Sequence, residues 1–220
     1  MAPVKHAEVR RSQEERRDES RAKILAAAEQ IFAREGLAGA RTDAIAAAAG
    51  VNKAMLYYYF RGKEDLYEAV IEEHLKDFNQ EALAVLTAGG SPRTLLLRYV
   101  NLHFDFVSQR QQHAPLFQQL MMKNGKPMER LLGKYIIPRV EAVQELLARG
   151  MKAGELRQAD PFHTAISLAA LVVSYFSMAP MMQRLGYQDP FALKNLDRRK
   201  QEVLDFVRHG LFVNPHTPTT

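Results

Sequence analysis

The sequence has no cysteine among its 220 residues. That excludes a disulfide framework, an iron–sulfur cluster and a thiolate zinc site, and it suits a reducing compartment. No apolar segment precedes the charged stretch from Arg10 to Arg21, so no signal peptide is read. The unbroken apolar runs, Leu168 to Val173 among them, fall far short of the roughly 20 residues needed to cross a bilayer. A soluble, cytoplasmic chain without a membrane partner is therefore expected. There is no glycine-rich phosphate loop, no helix bearing a paired-histidine metal motif and no serine elbow. Glu72, Glu73 and His74 are consecutive on a helical pattern and fan apart, and His163 has no evident partner. Neither an enzyme nor a cofactor or metal site is expected. Strand-like alternation is also missing, and apolar spacing is helical nearly throughout.

What is present is an ordinary globular balance, 47% hydrophobic and 25% charged. The net charge of +5 is unevenly placed. Residues 1–63 hold 12 Lys/Arg against 8 Asp/Glu, whereas the remaining 157 hold 18 against 17. The excess lies in the first third, as a nucleic-acid-binding end requires, although a surplus of four also fits a solvated mixed-charge surface.

Residues 1–19 read as a charged, flexible arm. A first helix fits Ser20 to Glu35, with Ile24, Leu25, Ala28, Ile31 and Phe32 on one stripe and Gly36 as its C-terminal cap. Two short helices follow, Asp43–Ala49 and Lys53–Phe60, then a longer one from Lys63 to Leu86. Beyond the break at Ala88–Ser91, further helices are placed at about 92–111, 115–124, 127–151, 161–184 and 190–211. Three of these starts pair an N-capping side chain with proline: Ser91-Pro92, Asp160-Pro161 and Asp189-Pro190. Pro138 and Pro180 fall inside helices and should kink them. The domain boundary is set inside the long helix, giving a first domain over 20–70, a second over 71–213 and a disordered tail over 214–220.

The informative stretch runs from Thr42 to Phe60. Thr42 can cap the first short helix, whose N-terminus then faces outward. Ala46 is small where two helices cross, Gly50 supplies the positive backbone dihedral of the turn, and Asn52 can cap the second short helix. Leu56, six residues after Gly50, anchors that helix to Ile45. This is the internal logic of a helix-turn-helix. With Leu56 and Phe60 turned inward, Lys53, Ala54, Met55, Tyr57 and Tyr58 remain on the outer face. There, lysine and tyrosine can donate to phosphates or base edges. Three consecutive tyrosines cannot all face one core, and Tyr59 is the one expected to be partly buried.

At this point the chain resembles the TetR family of bacterial regulators. The resemblance rests on Ile31 to Gly36, Thr42, Ile45-Ala46, Ala49-Gly50-Val51, Leu56-Tyr57, Phe60, Lys63-Glu64 and Leu66. It implies that Thr42, Tyr57, Tyr59 and Lys63 meet phosphates and that Lys53, Ala54, Met55 and Tyr58 face bases. Position 59 is more often histidine in that family. Gly62 stands where serine or asparagine is usual, so the cap of the fourth helix is weakened, and Asp43 places an acid beside the phosphates. The fold expected is all-α: an N-terminal three-helix helix-turn-helix (homeodomain-like) domain followed by a helical ligand-binding and dimerisation domain, about nine helices in all.

No comparable motif covers residues 80–220. The segment Ala165–Val173 is apolar nearly all round, and helix 190–211 aligns Leu196, Val203, Val207 and Leu211. Ala169, Val173, Leu196, Val203 and Val207 are read as a dimer interface, with an internal core helix as the other reading. His103, Phe104, Phe117, Met121, Tyr135 and Met178 are read as members of an effector pocket, the methionines supplying adaptable apolar surface; a plain hydrophobic core fits the same spacing. The function expected is a transcriptional repressor, a homodimer on a palindromic double-stranded operator, released by a small apolar or aromatic effector. The alternative is an architectural or division-linked DNA-binding protein of the same fold without ligand control.

Overall fold

The computed structural model describes the backbone over residues 4–111 and 126–214, and side chains over 15–111 and 129–214. The predicted helix at 115–124, Phe117, Met121 and residues 215–220 lie outside the described residues. The chain divides into two compact units, Met1–His74 and Leu75–Thr220.

The first unit holds α1 (Val4–Gly39), α2 (Thr42–Ala48), α3 (Lys53–Tyr59) and the start of α4 (Lys63–Leu86). The expected flexible arm is instead the beginning of α1, which starts at Val4 rather than Ser20. Its Glu, Arg, Gln, Lys and Ala residues are good helix formers, and Glu19 pairs with Lys23 one turn on at 2.7 Å. Ser20 sits inside the helix, its hydroxyl donating to the Arg16 carbonyl at 2.8 Å. The apolar stripe of α1 is buried at Ile24, Ala27, Ala28, Ile31 and Phe32. Gly36, at φ 68° and ψ 173°, ends the regular helix where the sequence places the cap. Tyr67 of α4 sets its ring edge-on to Phe32, with centroids 5.1 Å apart. Gly62 has no side chain to cap α4; the Asp65 carboxylate in its first turn reaches back instead and accepts from the Arg61 N–H at 3.0 Å, tying the helix to the residue before its cap position.

The second unit is built from the rest of α4 with α5 (Pro92–Gln109), α6 (Lys126–Leu131), α7 (Ile137–Lys152), α8 (Pro161–Arg184) and α9 (Leu193–Leu211). Leu96, Leu146, Leu147, Val172, Phe176 and Phe212 have no exposed surface and anchor one core. α8 is long and apolar enough by composition to cross a membrane. In this bundle its Ala165, Leu168, Val172, Tyr175, Phe176 and Ala179 side is buried, as a central helix requires.

The three predicted caps separate. Asp160 accepts from the His163 N–H at 2.7 Å, as expected. Ser91 makes no cap; its hydroxyl donates to Glu155 at 2.6 Å. The Glu155 carboxylate then takes the Arg93 N–H at 3.2 Å, so the start of α5 is satisfied from the far end of α7. Arg93 completes the corner, donating to the Glu155 and Asn214 carbonyls and stacking over Phe212 at 5.1 Å. The third cap fails: Asp189 lies at φ 44° and Ala192 precedes the first residue of α9, Leu193. The residues between form a turn closed by Asn195, whose side chain donates to the Asp189 carbonyl at 2.8 Å.

Helix 127–151 is interrupted by a π turn over Leu132–Ile136. Pro138 has no N–H for the carbonyl one turn back, and the wider turn accommodates its ring. Val203 and Val207 are each 1% exposed and belong to the protomer's own core, so those two are corrected from interface to interior. Ala169, Val173 and Leu196 are half-buried.

His103 is also interior, its ring stacked on Phe78 at 5.0 Å. Burial, and then the charge of Arg139, pushes its pKa down to about 3, so the folded state keeps it neutral. The unfolded chain protonates it near pH 6.5. Below that value the unfolded state binds the extra proton, and stability falls on acidification by about 1.4 kcal/mol per pH unit. Urea unfolding between pH 6.5 and 4.5 should show this slope reduced by that increment in His103→Gln; an unchanged slope would contradict it.

Candidate nucleic-acid interface

The turn between α2 and α3 is closed by the backbone. Gly50, at φ 68°, lets the Val51 N–H reach the Ala46 carbonyl at 3.0 Å, a conformation that L side chains adopt only with strain. Asn52 caps α3 by accepting from the Met55 N–H at 2.7 Å. Ile45 and Leu56 are fully buried and Ala46 and Phe60 nearly so.

Those anchors fix what α3 presents. Lys53, Ala54, Met55, Tyr57 and Tyr58 are all exposed, Tyr58 most among the aromatics at 67%. Tyr59 is half-buried, its ring edge-on to Tyr58 at 5.1 Å. Large aromatic rings left in water are costly unless another surface covers them.

Thr42 does not cap α2. The residue before the helix is Arg41, which makes no side-chain cap, and Thr42 is the first helical residue. Its hydroxyl lies 3.4 Å from that of Tyr57. The two share a shallow polar recess with Lys63, whose Nζ donates to the Ala38 carbonyl at 3.2 Å. One of three ammonium protons is so used, leaving two for an anion. Thr42, Tyr57 and Lys63 thus meet around one recess, with Tyr59 outside its lining. Arg41 and Arg61 line the same recess. The sequence reading missed both, because neither falls on the helical stripe that reveals α3.

A second feature escaped the sequence. Lys53 and Asp43 form an ion pair at 2.7 Å across the turn, both side chains about half exposed. The hydrogen bond from Lys53, and then its charge, holds the Asp43 carboxyl below its ordinary range, and the same bond raises Lys53. Ten residues of separation hide this pair from any periodicity rule.

Of the second-unit residues, Phe104 is core against Phe176 with centroids 5.4 Å apart, and Tyr135 is buried at the π turn. Met178 points outward, 45% exposed, beside Tyr187 and Arg199 in a groove between α8 and α9. It is therefore not brought together with His103 and Phe104. No group of acidic or histidine side chains among the described residues could hold a metal ion.

A three-helix unit presenting one polar-aromatic helix, followed by an α-helical second unit, defines the class of helix-turn-helix DNA-binding regulators. The comparisons agree. The profile described as bacterial regulatory proteins, tetR family, matches residues 24–70, and that of the tetracyclin repressor-like C-terminal domain matches residues 92–207. The HTH-type transcriptional regulator RutR of Escherichia coli is 32% identical over 162 residues, 73% of this chain and 75% of its own length. The transcriptional activator FasR of Mycolicibacterium smegmatis is 35% identical over 163 residues, 71% of this chain and 70% of its own. Among solved structures, AibR in complex with isovaleryl coenzyme A and operator DNA superposes with a TM-score of 0.69 at 17% identity, covering 85% of this chain and 97% of that one. The chain belongs to the TetR family of transcriptional regulators.

The Asp43–Lys53 pair generates a prediction. An exposed pair of this kind adds little stability, but on a DNA-facing surface its carboxylate opposes phosphates. Asp43→Asn should tighten binding to every duplex and steepen the dependence of log K on log salt by about 0.9. Anisotropy titrations at several salt concentrations read both; an unchanged slope and affinity would refute the assignment.

Proposed function

We propose that this regulator is a homodimeric, cytoplasmic repressor that binds a palindromic operator and is released by a small effector with an apolar or aromatic body. The observation that carries the DNA-binding mode is the outer face of α3, where Lys53, Met55, Tyr57 and Tyr58 stand in solvent while Leu56 and Phe60 are buried. In this reading Thr42, Tyr57, Tyr59 and Lys63 position phosphates, and Lys53, Ala54, Met55 and Tyr58 read base edges from the major groove.

A two-fold protein matches a palindrome, its reading helices roughly 34–36 Å apart. The second unit offers a face for that pairing. Phe162, Ile166 and Met181 on α8, Leu185 just after it, and Leu193 and Phe206 on α9 are between 46% and 81% exposed. Such density of apolar surface is unusual on a monomer. A second copy of the chain would cover it by packing α8 and α9 against their own equivalents, an isologous contact. Ala169 and Val173 lie on the same helix and Leu196 on its partner, so these three are retained for the interface.

Effector control follows from α4, one helix running from Lys63 to Leu86. It carries a phosphate-positioning lysine at one end and core residues of the second unit at the other. An effector that prefers one arrangement of this helix shifts the population between binding-competent and released dimers.

Lys63→Met should weaken all duplexes alike and flatten the salt dependence by about 0.9, whereas Tyr58→Ala should change the ranking of operator variants. Equal losses on every sequence for both would overturn the division of roles. Ile166→Asp combined with Phe206→Asp should halve the mass measured by light scattering and remove operator binding while the circular dichroism stays helical; a dimer of wild-type mass would sink the interface.

A further inference from the structure

Among its described residues, the second unit buries a charge with no counter-charge beside it. Arg139, two residues into α7, is only 9% exposed. Its guanidinium lies 4.7 Å over the ring of Phe78, with the Tyr99 hydroxyl within hydrogen-bonding reach. His103, one turn beyond Tyr99 on α5, stacks on the other partner of that guanidinium, Phe78, and tilts against Tyr99 at 5.9 Å. The Nη1 of Arg139 is fully buried and finds no acceptor among the described residues.

Arginine does not escape this position by losing its proton. A buried guanidinium needs an anion or a full set of acceptors, because desolvation exceeds what one aromatic face and one hydroxyl return. Among the described residues no carboxylate acts on Arg139; besides the Phe78 ring, the group that favours its charge is the Tyr99 hydroxyl. Residues 112–128 contain no aspartate or glutamate at all. The counter-ion therefore does not come from that segment of the chain.

We infer that Arg139, with Tyr99 and His103, is the anchor of a ligand site for a small monocarboxylate with an apolar or aromatic body. Guanidinium matches a carboxylate in a two-bond geometry, and the Tyr99 hydroxyl adds a third donor. His103 is neutral in the folded protein, so the site carries a single positive charge and suits a monoanion better than a doubly charged phosphate. Phe78 supplies the flat apolar wall. The site rests on the reading of this protein as effector-controlled and gives that effector a chemical class. It also supplies a route, since Phe78 lies on α4, the helix that begins at Lys63. Periodicity selects His103 and Phe104 but not Arg139, because a lone arginine at a helix start reads as surface.

The test uses the full-length protein with benzoate and hexanoate as probes and benzamide and hexanamide as their neutral counterparts. Calorimetric titration is expected to show one carboxylate bound per chain and at least about tenfold weaker binding of the amides. Arg139→Met should weaken the carboxylates by at least about tenfold and leave the amides unchanged. Tyr99→Phe should produce a smaller loss, and it serves as the second variant if Arg139→Met does not fold. Amides that bind as well as acids, acids that bind Arg139→Met as tightly as wild type, or no binding of either acid would each overturn the site. Operator titration in the presence of the probes separates this from the wider reading. Arg139-dependent binding that leaves operator affinity unchanged supports the site and removes the effector role, whereas operator release by the amides alone retains effector control and overturns the carboxylate site.

Discussion

The burial of Leu56 and Phe60 is the constraint on which the reading head depends. Both are driven inward by the cost of leaving large apolar side chains in water, and on a helix of seven residues that choice leaves little freedom for the rest. Lys53, Ala54, Met55, Tyr57 and Tyr58 face outward because the helical repeat puts them there. Asn52 fixes where the helix begins and Gly50 fixes the angle at which it leaves the turn. Polar contacts such as Thr42 with Tyr57 and Lys63 with the Ala38 carbonyl then adjust the rim without setting the orientation.

Much of this first unit was legible from the chain alone because its signals are local. A capping asparagine, a glycine in a left-handed turn and an anchor six residues later each act within one or two helical turns. What was not legible acts across the turn or across elements. The Asp43–Lys53 pair joins two helices, and Asp65 reaches back past Gly62 to hold the Arg61 N–H. The start of α1 was misread for a different reason. Its sequence is polar and charged and offers no apolar period to find, and the pair shown there, Glu19 with Lys23, is a surface contact along the helix.

The second unit was legible in class and less so in detail. Hydrophobic period distinguishes a buried face from an exposed one, but it does not tell a protomer's core from an interface, and Val203 and Val207 fell on the wrong side of that line. The exposed members of the same helices, Leu193 and Phe206, were passed over because they do not continue the stripe. Asp160 and Asp189 have the same local sequence logic, yet only Asp160 caps. A proline at the second position permits a helix start without compelling one, and the turn closed by Asn195 delays the helix to Leu193.

The cap of α5 by Glu155 carries a consequence for the way this unit comes together. The first N–H groups of a helix are ordinarily satisfied by a neighbour in sequence, so that the helix can form on its own. Here the acceptor is supplied from more than sixty residues downstream, and the same corner is closed by the Asn214 carbonyl through Arg93. The beginning and the end of the second unit are thus finished in one event. Loss of a few residues at the C-terminal side of this corner would be felt at the start of α5, and the unit is expected to unfold as a whole instead of fraying from its last helix.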